Sequence, residues 1–187
     1  VDEKLRQKLR NLYRVNRVLW IGIFAGIVTL LLIGYFLAKS GVVAPAETAT
    51  GKDPLSNVFL IIAIILLYLV FHMKRTYLNP KKLIWRARKK KIDITNVDVS
   101  DFVAEFGTNA DVLLKALMLL RRYYMVIWSL ANVVALLGFI EFAVSGQLRV
   151  LGIYGVVSLY SMLVNYPSFG IIEQCHNVLQ LEDLDSA

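Results

Sequence analysis

The run KRTYLNPKKLIWRARKKK, residues 74–91, decides how the chain is read. Half of it is Lys or Arg, and two long apolar stretches precede it while two follow it. Extended to Tyr123, this bridge carries twelve of the 21 Lys and Arg residues. Six more, Lys4, Arg6, Lys8, Arg10, Arg14 and Arg17, stand before the first apolar stretch. The remaining three, Lys39, Lys52 and Arg149, fall in the other connections. Lys and Arg collect on the cytoplasmic side of spanning helices. The distribution therefore predicts that the N-terminus, the bridge (residues 74–123) and the tail are all cytoplasmic. Of the 187 residues 57% are apolar and only 19% charged, too little polar surface to cover a soluble domain. The expected fold class is an all-α integral membrane protein. Four transmembrane helices form two hairpins, with amphipathic interfacial helices between spans two and three.

Working outward, Val18–Ala38 (VLWIGIFAGIVTLLLIGYFLA) is the first span, uncharged throughout. At ~1.5 Å per residue it covers ~30 Å, the depth of the hydrocarbon core. Trp20 and Tyr35 lie near its ends, where aromatic rings anchor at the interface. Residues 1–17 read as a basic amphipathic helix in the headgroup layer, with Leu5, Leu9 and Leu12 recurring on one face. Ala44-Pro45-Ala46 loosely resembles a signal-cleavage site, but the apolar run is too long and the proline opposes cleavage, so the span is expected to stay. Asn57–Met73 is the second span, with Ala63 its sole small residue, and is expected to face lipid at the periphery. Tyr124–Val144 is the third span, Ser145-Gly146-Gln147 a tight turn, and Leu148–Tyr166 the fourth span. Residues 167–187 form an acidic amphipathic tail, and no Lys or Arg follows Arg149.

Within the bridge, Asn79 and Pro80 are an N-cap and a first helical residue, starting a helix that runs to Lys91. Lys81, Lys82, Trp85, Arg86, Arg88, Lys89, Lys90 and Lys91 are its candidate contacts to anionic lipid headgroups. A nucleic-acid partner is not expected, because the basic run adjoins a span. Residues 92–99 alternate apolar and polar as an extended linker, and Gly107 ends one or two helical turns over residues 100–106. Thr108-x-x-Asp111 has capping-box spacing, and Asp111 and Lys115 stand four apart. From Val112 to Leu120 the helix is apolar nearly all round, so something must cover it. Val112, Leu113, Leu117 and Leu120, with Ile172, Cys175 and Leu179 on the tail, are the candidate partner-docking residues.

Small residues recur at i, i+4, i+7 in Gly22, Gly26 and Thr29 of span one, and as Ala131, Ala135 and Gly138 in span three. Such stripes let backbones approach, so these spans are expected to pack together or on a partner. A weak internal repeat aligns Leu32-Ile33-Gly34-Tyr35-Phe36 with Leu136-Leu137-Gly138-Phe139. Glu141 is the one carboxylate inside a predicted span and a functional candidate by default. Lys39 and Arg149 are its expected counter-ions, in a structural ion pair. Asn132 is expected to hydrogen-bond between helices. Cys175 and His176 are adjacent, hence ~100° apart on a helix, and cannot serve each other as nucleophile and base. A single cysteine excludes an internal disulfide framework. Metal-ligand spacing, a phosphate loop and cofactor signatures are missing, so no catalytic residue, metal or cofactor is expected.

The expected function is that of a non-enzymatic membrane subunit that binds and positions a partner in a larger complex, in a bacterial inner membrane. Its expected partners are anionic lipid headgroups and other membrane-protein subunits or further copies of itself. The layout of four spans, both ends inside, with a cytoplasmic insertion between spans two and three, resembles in topology alone the flagellar-type stator ring subunit. That resemblance implies the alternative of a small channel, transporter or ion-driven assembly. A lipid-modifying enzyme at the cytoplasmic face ranks last, because His72 stands without further catalytic groups at that interface.

Overall fold

The computed structural model describes residues 3–43, 54–89 and 106–185, and every element in them is helical. In order these are α1 (Glu3–Lys39), α2 (Pro54–Tyr77), α3 (Pro80–Lys89), α4 (Thr108–Ser145), α5 (Leu148–Val164) and α6 (Gly170–Asp185). The expectations for Lys90, Lys91, the linker 92–99, most of the turns before Gly107 and the side chain of Thr108 lie outside the described residues.

Two helices are longer than their sequence patterns suggest. The N-terminal amphipathic segment and span one form the unbroken 37-residue α1, and the apolar half of the bridge and span three form the 38-residue α4. Nothing between Arg17 and Val18, or between Leu120 and Tyr124, could stop a helix. Both junctions lack Gly and Pro, and Arg and Leu are strong helix formers. The N-terminal segment is therefore a continuation of the first span's helix rather than a separate interfacial helix. Breaks occur where the backbone chemistry demands them. Gly107, at φ +79°, precedes α4, and Gly146, at φ +68°, separates α4 from α5, both in the left-handed region open to glycine. At the start of α3, Asn79 Oδ1 accepts the Lys81 backbone N–H at 3.1 Å, the cap that the Asn-Pro pair predicts.

Three helices are long and apolar enough to cross a membrane: Glu3–Lys39, Ser56–Tyr77 and Asn109–Ser145. Helix α5 is apolar too, but its 17 residues span only ~25 Å at ~1.5 Å per residue, short of the ~30 Å core.

The chain divides into two compact units. The apolar unit comprises residues 18–72 and 126–166 and holds the apolar parts of α1, α2 and α4 together with α5. A core cluster of Ala63, Val134 and Tyr154 joins α2, α4 and α5. Ala63 is thus where α2 meets its neighbours, while Leu60, Ile61, Ile64, Ile65, Tyr68 and Phe71 are exposed around the rest of it. Close backbone approaches centre on α5. A Cβ at Gly34 would collide with Leu151, one at Gly138 with Tyr154, and one at Gly155 with Leu31. Gly34 and Gly138, the two glycines matched by the weak repeat, both meet α5. Polar ties fix the same helices. Ser158 Oγ donates to the Ala131 carbonyl at 2.7 Å, Trp128 Nε1 to Asn165 O at 3.0 Å, and Trp20 Nε1 to Met162 O at 3.0 Å.

The basic unit comprises residues 1–17, 73–125 and 167–187. Its core brings together Leu5, Leu9 and Tyr13 of α1, Leu83 and Ile84 of α3, Leu113, Leu117 and Leu120 of α4, and Ile172, Cys175 and Leu179 of α6, all buried. Helix α6 packs on α3. Around the rim, Arg6 donates to Glu173 Oε1, Arg121 donates to Asn16 Oδ1 at 2.9 Å and to Leu12 O at 3.1 Å, and Lys115 pairs with Asp111 at 2.6 Å.

Candidate functional site

The apolar face of Val112–Leu120 is covered within the chain. Leu113, Leu117 and Leu120 are buried, Val112 is half-buried, and the tail residues Ile172, Cys175 and Leu179 are buried in the same unit. The two amphipathic elements expected to seek a partner are both buried inside the basic unit, where Leu113 and Ile172 border one cavity with Leu5 and Leu9 of α1, whereas Leu12 is exposed. The physical reason is proximity. Three apolar faces tethered to one chain meet at high effective concentration, and a separate protein has no such advantage. A cavity of about 300 Å³ lies between α1, α4 and α6. Leu9, Leu113, Phe169 and Ile172 line it, and the Arg6–Glu173 pair and His176 edge it. The guanidinium of Arg6 is held even higher than usual by its bond to Glu173. Burial lowers the pKa of His176, whose ring nitrogens have no hydrogen-bond partner among the described residues. Burial also pushes the Cys175 thiol up to about 12, so it is not a nucleophile at neutral pH.

The basic helix α3 presents the opposite side to solvent. Lys81, Lys82, Trp85, Arg88 and Lys89 are exposed, and Lys89 Nζ stands 3.9 Å from the Trp85 ring centroid. Arg86 differs from the others. Its guanidinium lies 4.3 Å from the Tyr77 ring centroid and 6.0 Å from that of Tyr123, rings that are themselves 4.7 Å apart. It is half-buried, and it ties the end of α2 to α4 through cation–π contacts.

In the apolar unit the two small-residue stripes have different surroundings. Ala131, Ala135 and Gly138 are buried. Gly22, Gly26 and Thr29 are exposed, and a Cβ at either glycine would meet nothing within 4 Å. Span one approaches its neighbours through Leu31 and Gly34 instead. On the open face, Gly22-x-x-x-Gly26 is flanked by exposed Val18, Ile21 and Ala25. Asn132 is half-buried, and the interhelical hydrogen bond beside it comes from Ser158. His72 is exposed and stacks on Tyr68 at 6.1 Å between centroids.

Glu141 is 5% exposed. Its Oε1 accepts a hydrogen bond from Ser56 Oγ at 2.5 Å, and its Oε2 has no partner among the described residues. Lys39 and Arg149 are both exposed, and neither pairs with Glu141. The expected ion pair is replaced by a hydroxyl from α2. Periodicity places Glu141 on an inward face of α4, but it cannot tell which element that face meets. Ser56, Trp128 and Arg86 carry no sequence signal that would single them out as tie points. For Trp128 the nearest signal is an indole N–H inside an apolar run, which needs an acceptor when buried. Comparison with protein families, with curated proteins and with solved structures finds no match for the chain.

Proposed function

We propose that the chain is a non-enzymatic subunit of a membrane complex, which binds and positions a partner helix in the same bilayer. In this reading α5 is a fourth, short span, so that two hairpins place the N-terminus, the basic bridge and the tail in the cytoplasm of a bacterial inner membrane. The exposed Lys and Arg of α3 rest on anionic headgroups, each worth ~1 kcal/mol near such a surface. The observation that carries the reading is the open Gly22-x-x-x-Gly26 face. The glycines that pack inside the apolar unit, Gly34, Gly138 and Gly155, each meet a neighbouring helix, whereas these two meet none. Gly-x-x-x-Gly spacing permits the close helix approach that drives association where lipid removes the hydrophobic effect. A gentle-detergent pull-down of the wild type and of Gly26→Leu tests it. Loss of the co-purifying chain with retained expression supports the reading, and equal recovery overturns it.

A second reading, a small channel or transporter, is favoured by the buried and half-satisfied carboxylate of Glu141. Ion flux into vesicles reconstituted with the purified chain tests it. Flux that collapses in Glu141→Gln supports it, and tight vesicles exclude it. No observation favours a lipid-modifying enzyme.

A further inference from the structure

The carboxyl of Glu141 is the one acidic group buried in the apolar unit among the described residues. Three helices meet around it. It projects from α4 near that helix's C-terminal end, Ser56 comes from the first turns of α2, and Tyr154 from α5 is its titratable neighbour. No Lys, Arg or His among the described residues pairs with it. Its Oε2 is buried and has no hydrogen-bond donor among the described residues. A buried carboxyl with one oxygen left without a partner is a position where a further ligand can be held. Among the described residues the carboxyl is joined by two hydroxyl oxygens, those of Ser56 and Tyr154.

We propose that Glu141, Ser56 and Tyr154 form an intramembrane binding site for a monovalent cation, either a proton or Na⁺. Hard cations take carboxylate and hydroxyl oxygens, and a proton needs only the unpaired Oε2. The hydroxyl of Ser56 donates to the carboxylate when the site is empty and turns a lone pair inward when a metal ion enters. Because the ligands come from α2, α4 and α5, occupancy ties the two hairpins together. The site requires neither a partner protein nor ion flux, so it stands apart from both readings above.

Labelling of the full-length chain in detergent with dicyclohexylcarbodiimide tests it. The protonated carboxyl adds across the carbodiimide, and the whole reagent is retained as an N-acylurea, so the product is read as a mass shift on the peptide containing Glu141. The expected result is an adduct at Glu141 in choline chloride at acid pH that fades as the pH rises. If Na⁺ is the ligand, replacing choline by Na⁺ at about ten times half-saturation slows labelling about tenfold at constant pH. If the ligand is a proton alone, Na⁺ has no effect and pH alone protects. Ser56→Ala and Tyr154→Phe each shift the protecting Na⁺ concentration or pH, and Glu141→Gln removes the adduct. Should that last variant fail to fold, the wild-type pH and Na⁺ series decides by itself. No adduct at Glu141 at any pH in a folded protein, as for a carboxylate permanently paired with a lysine, overturns the proposal. So does labelling indifferent to both pH and Na⁺, or protection that neither Ser56→Ala nor Tyr154→Phe alters.

Discussion

Replacing Ile172 by Ala loosens the docking of α6, and the single cysteine reports it. Ile172 is 1% exposed and lies one helical turn before Cys175, whose Sγ is fully buried beside the Pro80 carbonyl. Truncating a buried Ile to Ala costs about 2–5 kcal/mol, and the cost depends on how many contacts the lost atoms made. Ile172 already borders the cavity of about 300 Å³, so on one side it has no neighbours to lose. That places the cost in the lower part of the range, at about 2–3 kcal/mol. If α6 opens as a local unit, the open population rises roughly 30- to 140-fold, at tenfold per ~1.4 kcal/mol. Maleimide labelling at mildly alkaline pH measures that population. In the closed state the thiol is both covered and held protonated, its pKa pushed up to about 12 from 9.0 by burial. The sign follows from the raised value. Burial of the neutral thiol contributes stability below pH 9, and that contribution fades as the pH climbs from 9 toward 12. Labelling therefore proceeds through opening, and Ile172→Ala should accelerate it by a factor in the range given. Leu181, 62% exposed on the same helix, is the control, and its replacement by Ala should change the rate less than about twofold. An Ile172→Ala rate within about threefold of wild type, or an equal effect from Leu181→Ala, refutes the packing described for α6.

Four further outcomes follow from other contacts. Gly138→Ala should lower the melting temperature in detergent, because its Cβ meets Tyr154 close to the backbone, an overpacking cost of about 1–3 kcal/mol. Gly26→Ala meets open space and should be neutral or stabilising, by up to ~1 kcal/mol of helix propensity, as read in the same melts. Trp128→Phe leaves the Asn165 carbonyl without its indole donor in a buried setting and should cost about 1–3 kcal/mol in those melts. Acidification should loosen α6 through His176. Burial lowers the pKa of His176, so the stability it contributes is complete above its ordinary value of 6.5 and is lost as pH falls through that value toward the folded one. Amide exchange in α6, corrected for intrinsic rate, should rise on acidification in wild type and not in His176→Gln.

Much of the fold is legible from local chemistry. The Asn79 cap, the left-handed glycines before and after α4 and the Asp111–Lys115 pair are interactions within a few residues, which spacing alone can place. Helix continuity is less legible. Arg and Lys at the borders of a span mark an interface for the reader of a sequence, yet they extend a helix as readily as Leu does. The candidate sites fared by the same rule. Amphipathic faces at Val112–Leu120 and on the tail are visible as apolar stripes, but which surface covers a stripe is tertiary information. Here both stripes are buried within one unit, and α6 packs on α3. Glu141 announces itself as a buried carboxylate, whereas Ser56, some 85 positions away, is a small hydroxyl with no pattern around it. Lys39 and Arg149 looked suitable because charge is conspicuous in a sequence. A hydroxyl on a neighbouring helix meets the carboxylate at less desolvation cost than a second ion. The open stripe at Gly22, Gly26 and Thr29 is legible as small residues, and only the packing shows it to be unfilled by the described residues.

That open face is the centre of the account, and a photoreactive residue at Ala25, between the two glycines, tests it in native membranes. Irradiation should yield a discrete protein adduct, to a different membrane protein or to a second copy of this chain, and the adduct should vanish when Gly26→Leu is combined with the probe. Adducts to lipid alone, or a protein adduct that persists unchanged with Gly26→Leu, would contradict the claim that this face holds a partner helix.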